Sequence, residues 1–397
     1  MNRSFRYLMF GLLYFAQGSI MAYFTALNAL YLLSFGLGMG EIGLIGTIGL
    51  IPFVIKIFLG MLSDRVNLFG LGHRKPYIVI GLLMQAGCVL IVPLVDPGQN
   101  FWLYVLVAFS MMMGMALYDT CTDGLALDTT PVEEEGIIQG FMVGGRAAGM
   151  VVTSALLGLM VQNISWTAGF ILLAVVTLLP LPLVFKAKEA AKEAASRFEW
   201  SAFRAFTRSH VIALGMLGAL YSLIINGANQ LVNPFLVDRF QIDFATAGYV
   251  ATVVGLGTIL GGLIGGNITD RIGQKRSVQL AILVTILGVG LLTVITAPWM
   301  AWALVFVFGF AFGFYETVYF AISMRVTDGR IAATMFSILM AVANIGTGIG
   351  LGLTGLLADS FGFVVSFLII AALNILALPL IRMIFSSGQT MEKLQQD

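Results

Sequence analysis

Charge is what this chain has least of. Only 10% of its 397 residues are Asp, Glu, Lys or Arg, against 59% hydrophobic residues, whereas a soluble domain carries about 25% charged residues. So thin a polar coat excludes a soluble enzyme, a disordered chain and a nucleic-acid binder, and the net charge of +1 offers no bulk electrostatic partner. Cysteine is nearly absent: Cys88 and Cys121 both lie in apolar runs, which excludes a disulfide scaffold. The only histidines, His73 and His210, sit at the ends of hydrophobic runs and suggest no metal site. No G-x4-G-K-[ST] phosphate cradle is present, so ATP is not the expected energy source and no cofactor is called for. Glycine, by contrast, is plentiful at 46 residues, which suits close helix packing in lipid.

A spanning helix needs about 20 predominantly apolar residues. The runs between charges and turn signals predict twelve: 7–33, 41–62, 76–95, 101–127, 136–161, 166–185, 210–237, 244–267, 278–297, 299–324, 331–357 and 362–385. The first run is too long for a signal-peptide core and lacks a small-residue cleavage site, so it is read as a helix. Lys and Arg set the orientation. With a cytoplasmic N-terminus, 18 of the 21 basic residues face the cytoplasm, Arg239 alone falls outside, and Lys56 and Arg146 lie within spans. The one long polar stretch, Lys186 to Arg208, is rich in helix-favouring Ala, Lys and Glu and carries Phe198, Trp200, Phe203 and Phe206 for the membrane surface. It predicts a six-helix bundle over 1–185, a cytoplasmic and partly amphipathic-helical linker over 186–209, and a second six-helix bundle over 210–397.

The halves repeat at an offset of 197 residues: Tyr118, Thr120, Thr130, Gly149 and Phe170 match Tyr315, Thr317, Thr327, Gly346 and Phe367, and Asp119 matches Glu316 within Tyr-acid-Thr. Duplicated halves are how several secondary transporters are built. A second repeat joins spans 8 and 9 as Gly266-Asn-Ile-Thr-Asp270-Arg271-Ile-Gly273-Gln-Lys275-Arg276, and spans 2 and 3 as Gly60-Met-Leu-Ser-Asp64-Arg65, an insertion, then Gly72-His73-Arg74-Lys75. This resembles the G-x-L-x-D-R-x-G-R-R/K loop of the major facilitator superfamily. The resemblance implies gating roles for Asp64, Arg65, Arg74, Lys75, Asp270, Arg271, Lys275 and Arg276.

The first half is similar to a narrower group. Tyr14-Phe15-Ala16-Gln17-Gly18, the stretch Ile51-Pro52-Phe53 through Lys56 to Asp64, and His73-Arg74-Lys75-Pro76-Tyr77 resemble the folate–biopterin transporter family. Asp119, Asp123 and Asp128 in span 4 form a pattern shared equally with the muropeptide permease and acetyl-CoA transporter families, with Asp128 standing where Glu is usual. The resemblance implies a small organic solute, folate- or pterin-like, with a peptide-sugar or another polar metabolite as the alternative.

Five charges fall inside spans: Lys56, Asp119, Asp123, Arg146 and Glu316. At about 1.5 Å per residue, Lys56 lies about 12 Å from Asp64, Asp119 about 14 Å from Asp128, and Arg146 about 16 Å from Glu135. These depths overlap, so a neutral set of two acids and two bases can meet in the first half, with Asp119 and Asp123 on one helix face. The set serves either to lock spans 2, 4 and 5 together or to carry protons. In the second half Glu316 has no Lys or Arg at its depth in spans 7–12. Either it carries a proton or it hydrogen-bonds a nearby Tyr315 or Tyr319. Lys56 and Arg146 are the cations available to an anionic solute. Gln17 and Asn28 in span 1, and Asn226, Asn229, Gln230 and Asn233 at i, i+3, i+4, i+7 in span 7, supply polar faces for solute or gate. Tyr14, Tyr23, Tyr118, Tyr315 and Tyr319 supply aromatic walls. Gly257, Gly261, Gly265 and Gly346, Gly350 form G-x3-G steps, read as sliding helix contacts.

The expectation is therefore an all-α, twelve-helix transporter of two pseudo-symmetric bundles around a central cavity. It works by alternating access as a monomer in the cell membrane, coupled to protons through Asp119, Asp123 or Glu316. Its partners are a small-molecule solute, protons and the lipid bilayer, with no nucleic acid. A non-transporting membrane assembly factor is the rival from another class. For orientation, Ala195→Cys in the linker is expected to be shielded from impermeant maleimides in sealed cells; labelling only from outside overturns the topology.

Overall fold

The computed structural model describes residues 2–70, 72–131, 134–187, 189, 208–326 and 332–385. The expected linker helix lies largely outside them. Every regular element among the described residues is helical: α1 (Arg3–Ala26), α2 (Asn28–Leu33), α3 (Met39–Gly49), α4 (Ile51–Arg65), α5 (Lys75–Ile91), α6 (Phe101–Thr129), α7 (Glu135–Asn163), α8 (Trp166–Leu178), α9 (Leu181–Lys186), α10 (Ser209–Phe240), α11 (Phe244–Ile272), α12 (Gln274–Leu291), α13 (Pro298–Val326), α14 (Ala332–Leu373) and α15 (Ala377–Phe385), with short 3-10 turns between some of them.

These elements account for the twelve spans. Span 1 is α1 and α2, interrupted where Leu27 leaves helical geometry at φ −125°, ψ −15°. Span 2 is α3 and α4, the latter opening with Pro52 in its first turn, where a missing N–H costs nothing. Eleven helical stretches among the described residues are long and apolar enough to cross a membrane. Spans 11 and 12 form one of them, running on from each other at Gly362, whose φ of 76° and ψ of 168° divide α14.

The chain forms two compact units, Met1–Arg197 with Asn233–Gly255, and Phe198–Val232 with Leu256–Asp397. In the first, α1 lies against α7 so closely that a Cβ at Gly18 would strike the Arg146 carbonyl, one at Gly145 that of Gly11, and one at Gly149 that of Phe15. Only glycine permits such backbone contact. Ser19 and Thr153 hydroxyls hydrogen-bond across the same seam at 2.8 Å. At the end of the unit beyond this seam, Tyr31 packs edge-on against Trp166 and Phe170. The segment 233–255 joins this end: Asn233 Nδ2 donates to the Ala26 carbonyl at 2.6 Å and to that of Ala247 at 3.1 Å. The Phe244 N–H donates to Gln162 Oε1 at 3.1 Å. Asp243 caps the start of α11 by accepting from the Thr246 N–H at 2.7 Å, and its hydrogen bonds with Thr246 hold this carboxyl below the usual range.

The second unit repeats the seam. A Cβ at Gly346 would strike the Ala219 carbonyl and one at Gly350 that of Leu223, joining α14 to α10, and Ser222 meets Thr347 at 2.9 Å. Gly257 and Gly261 press α11 onto the carbonyls of Phe306 and Phe310 in α13. The glycine steps at Gly257, Gly261, Gly346 and Gly350 are thus close backbone contacts between helices of this unit. Its core gathers Leu217, Ile225, Phe314, Tyr315 and Tyr319. Large apolar side chains such as Leu263 (70% exposed) and Trp299 (74% exposed) cover the outside, as a surface facing lipid requires.

Gly149→Leu is expected to destabilise the first unit by at least the ~1–3 kcal/mol typical of overpacking, because backbone rather than a side chain would have to move. Gly87→Leu, at an exposed position with open space around it, should melt as the wild type does. Thermal denaturation of both purified variants checks this.

Candidate functional site

The first unit brings charges from three helices together with polar groups from a fourth. Asp119 of α6 is 5% exposed. Gln17 Nε2 of α1 donates to one of its oxygens at 2.7 Å, and Lys56 Nζ of α4 donates to the other at 3.5 Å. One helical turn along, Asp123 accepts a hydrogen bond from the Tyr14 hydroxyl of α1. Arg146 of α7 and Lys56 both act electrostatically on Asp123. The pieces meet because α1 presents Tyr14 and Gln17 three residues apart, while α6 presents Asp119 and Asp123 four apart. Chemically, the cluster can hold two carboxylates against two cations and exchange a cationic partner for a proton or a solute.

Other candidates fall elsewhere. Tyr118 is fully buried, its backbone N and Cβ against Gly81 of α5, and its hydroxyl has no hydrogen-bond partner among the described residues. Asn28 is buried just past the Leu27 break, about three helical turns along from Gln17. In the second unit, Asn226 Nδ2 donates to the Ser222 carbonyl at 3.0 Å and to Thr347 Oγ1 at 3.2 Å. Gln230 Nε2 donates to the Leu351 carbonyl at 3.0 Å. Both amides are thus directed onto α14. Glu316 is half-buried and near enough to Tyr221 to act on it electrostatically. Tyr221 in turn packs against Tyr315 and Tyr319, with ring centroids 5.3 Å and 4.7 Å away. The Tyr315 hydroxyl is buried without a hydrogen-bond partner among the described residues, and the Tyr319 hydroxyl lies beside Ser323.

At the end of the first unit that carries the repeated loop, Arg74 is buried. Its Nη1 donates to Ser63 Oγ at 2.6 Å, its Nε lies 3.3 Å from Asp128 Oδ2, and its backbone N–H donates to the Glu189 carboxylate. The guanidinium lies where a Cβ at residue 124 would be, so any side chain there would displace it from this place beside Gly124. Lys75 Nζ donates to the Ala187 carbonyl at 3.2 Å. In the second copy Arg271, Lys275 and Arg276 are exposed; the side chains of Asp64, Arg65 and Asp270 lie outside the described ones.

Sequence reasoning did not find Tyr221, nor the bonds Tyr14–Asp123 and Arg74–Asp128. A signal for Tyr221 exists. Gly149 meets Phe15 and Gly346 meets Ala219, so α1 and α10 correspond at an offset of 204 rather than 197. That offset sets Tyr221 opposite Glu316 as Gln17 is set opposite Asp119.

Comparison with known proteins then decides the family. The model of the Major Facilitator Superfamily matches residues 8–237 and 216–393. The chain belongs to the major facilitator superfamily. Among the relatives of this facilitator, the anhydromuropeptide permease of Escherichia coli (strain K12) is 24% identical over 348 residues, 83% of this chain and 68% of that one. The folate-biopterin transporter of Synechocystis sp. is 27% identical over 180 residues, 45% of this chain and 36% of that one. The crystal structure of the nucleoside transporter NupG shares the fold with a TM-score of 0.78 at 15% identity, covering 96% of this chain and 99% of that one. The facilitator is a multi-pass membrane transporter and not an enzyme.

Lys56→Met removes the cation from Asp119. Breaking a fully buried pair costs about 3–5 kcal/mol; Lys56 keeps 24% of its side chain exposed, so a smaller loss is expected. The double variant Lys56→Met/Asp119→Asn should melt higher than Lys56→Met alone. Strict additivity of the two changes in thermal denaturation would show that the groups are not coupled.

Proposed function

We propose that this facilitator is a proton-coupled secondary transporter of a small organic solute. It works as a monomer by alternating access in a bacterial inner membrane, with both termini cytoplasmic. In this reading residues 1–185 and 210–397 are the moving halves, joined by 186–209. The observation that carries it is the bond set Lys56–Asp119–Gln17 one turn from Tyr14–Asp123 within an apolar bundle. A charge at bilayer depth costs about 2.5–3.5 kcal/mol on insertion scales, so four of them in one place call for a function beyond packing. A carboxylate that trades Lys56 or Arg146 for a proton can tie proton movement to solute arrival. Glu316, matched to Asp119 by the repeat, is the second coupling group.

For the solute, the first-half motifs and the folate-biopterin relative support an aromatic organic anion met by Lys56 or Arg146. The broader coverage of the anhydromuropeptide permease supports a peptide-sugar. A thermal-shift comparison of the two classes separates them, because the true ligand raises apparent stability by mass action.

Coupling is tested in proteoliposomes. Glu316→Gln is expected to keep counterflow exchange and to lose accumulation against a gradient, since Gln imitates the protonated acid at nearly constant shape. Asp119→Asn should slow gradient-driven uptake more than it lowers the melting temperature. Intact accumulation in both variants would refute proton coupling through these acids, and loss of counterflow in Glu316→Gln would move that residue to solute binding.

A further inference from the structure

Asp119 has two hydrogen-bond partners of different kinds. Lys56 Nζ, from α4, lies 3.5 Å from Oδ2, and the Lys56 side chain is 24% exposed. Gln17 Nε2, from α1, donates to Oδ1 at 2.7 Å, and Gln17 is buried. The next residue is Gly18, where a Cβ would strike the Arg146 carbonyl, so the backbone that carries the Gln17 amide is held against α7. Lys56, on a long and partly exposed stem, is free to leave the acid; Gln17 stays beside it.

One atom in this arrangement is unused. Gln17 Oε1 is buried and has no hydrogen-bond partner among the described residues. An empty buried acceptor costs free energy and asks for an explanation. None of the ionisable groups around Asp119 fills it. Lys56 serves Oδ2, the Tyr14 hydroxyl is donated to Asp123, and Arg146 acts on Asp123 and Tyr14. Asp123 has no proton to give when ionised, and the Tyr118 hydroxyl makes no hydrogen bond among the described residues.

Protonation of Asp119 changes which partner fits. A carboxyl becomes a donor at the oxygen that takes the hydrogen, whereas a Lys ammonium has three donors and no acceptor. A proton on Oδ2 would therefore face a group unable to receive it. Of the two partners only Gln17 carries an acceptor. We propose that Gln17 is the positioning residue of the coupling step: when Asp119 takes up a proton at Oδ1, the Gln17 amide turns over and Oε1 accepts the new O–H. The proton comes from water, the hydrogen bond given up is that from Lys56 to Oδ2, and Lys56 keeps its own proton and charge. One polar atom of the amide is unmet in each state, so the turn itself favours neither. Gln17 holds the acid in both states, while Lys56 is released to meet an anionic solute. The inference rests on the reading of Asp119 as a coupling acid. In the second unit Tyr221, set opposite Glu316 as Gln17 is opposite Asp119, also has a group that both donates and accepts.

The test is infrared difference spectroscopy of the purified full chain in lipid, between high and low pH. A protonated carboxyl has its own C=O stretch, and the part of that band lost in Asp119→Asn belongs to Asp119. A hydrogen bond donated by the O–H lowers its frequency. Gln17→Leu, which has no acceptor, is expected to shift the Asp119 band upward to the position of an unbonded acid. Gln17→Asn, which keeps the amide on a shorter stem, should shift it part of the way. Lys56→Met should leave the frequency unchanged, because Lys56 is not bonded to the protonated acid. An Asp119 band that stays in place in both Gln17 variants overturns the proposal and gives the acid's proton to Asp123 or to water. Absence of any Asp119 band at low pH refutes instead the reading of Asp119 as a coupling acid, and this inference with it.

Discussion

The backbone-to-backbone approach of α1 to α7 governs what the first unit can do. At Gly18, Gly145 and Gly149 no side chain fits between the two helices, and this fixes both their distance and their register. With α1 held there, Tyr14 and Gln17 reach Asp123 and Asp119 on α6. A slip of one turn, about 5.4 Å, would break both present bonds, since the two acids stand one turn apart and at most one donor would then find an acid at its level. The same seam recurs between α10 and α14 through Gly346 and Gly350, and it brings Tyr221 to Glu316 by the same logic.

The two units share this scaffold but satisfy their buried polar groups differently. In a membrane, polar groups must find their partners within the protein. The first unit uses ions: Lys56 with Asp119, and the fields of Lys56 and Arg146 on Asp123. The second uses neutral groups: Asn226 with Thr347, Gln230 with the Leu351 carbonyl, and a cluster of three tyrosines beside Glu316. The packing is alike in the two units while the polar groups that fill it differ. A mutation in one half is thus a poor guide to its counterpart in the other.

The spans were legible because the bilayer imposes one length on every apolar run, and the repeat because Tyr-acid-Thr is rare inside a membrane. Glycine spacing also announced close contacts, though spacing alone did not say which helix each face would meet. What escaped was partnership. Tyr14 is an aromatic residue in an apolar run, and nothing in the run tells that its hydroxyl meets Asp123, 109 positions away. The amides of span 7 have the periodicity of a polar face, but whether that face meets solute or a neighbouring helix depends on packing; Asn226 and Gln230 donate to α14. Tyr221 is obscured by a change of offset, which is 197 residues from span 4 onward but 204 at span 1.

Gly362 deserves its place in α14 for another reason. Its φ and ψ of 76° and 168° nearly equal the 80° and 159° of Gly273 between α11 and α12, in a region of backbone space essentially reserved for glycine. At each junction a single residue does the work of a loop. For a chain being threaded into a bilayer, spans 11 and 12 then amount to one insertion hairpin. Around its tip only Asp359 and Ser360 are polar and no Lys or Arg is present, so the turn between the two spans carries little hydrophilic chain. The economy leaves no slack: a side chain at 362 would meet open space, yet any L residue there would strain the backbone at the one point where the two spans turn.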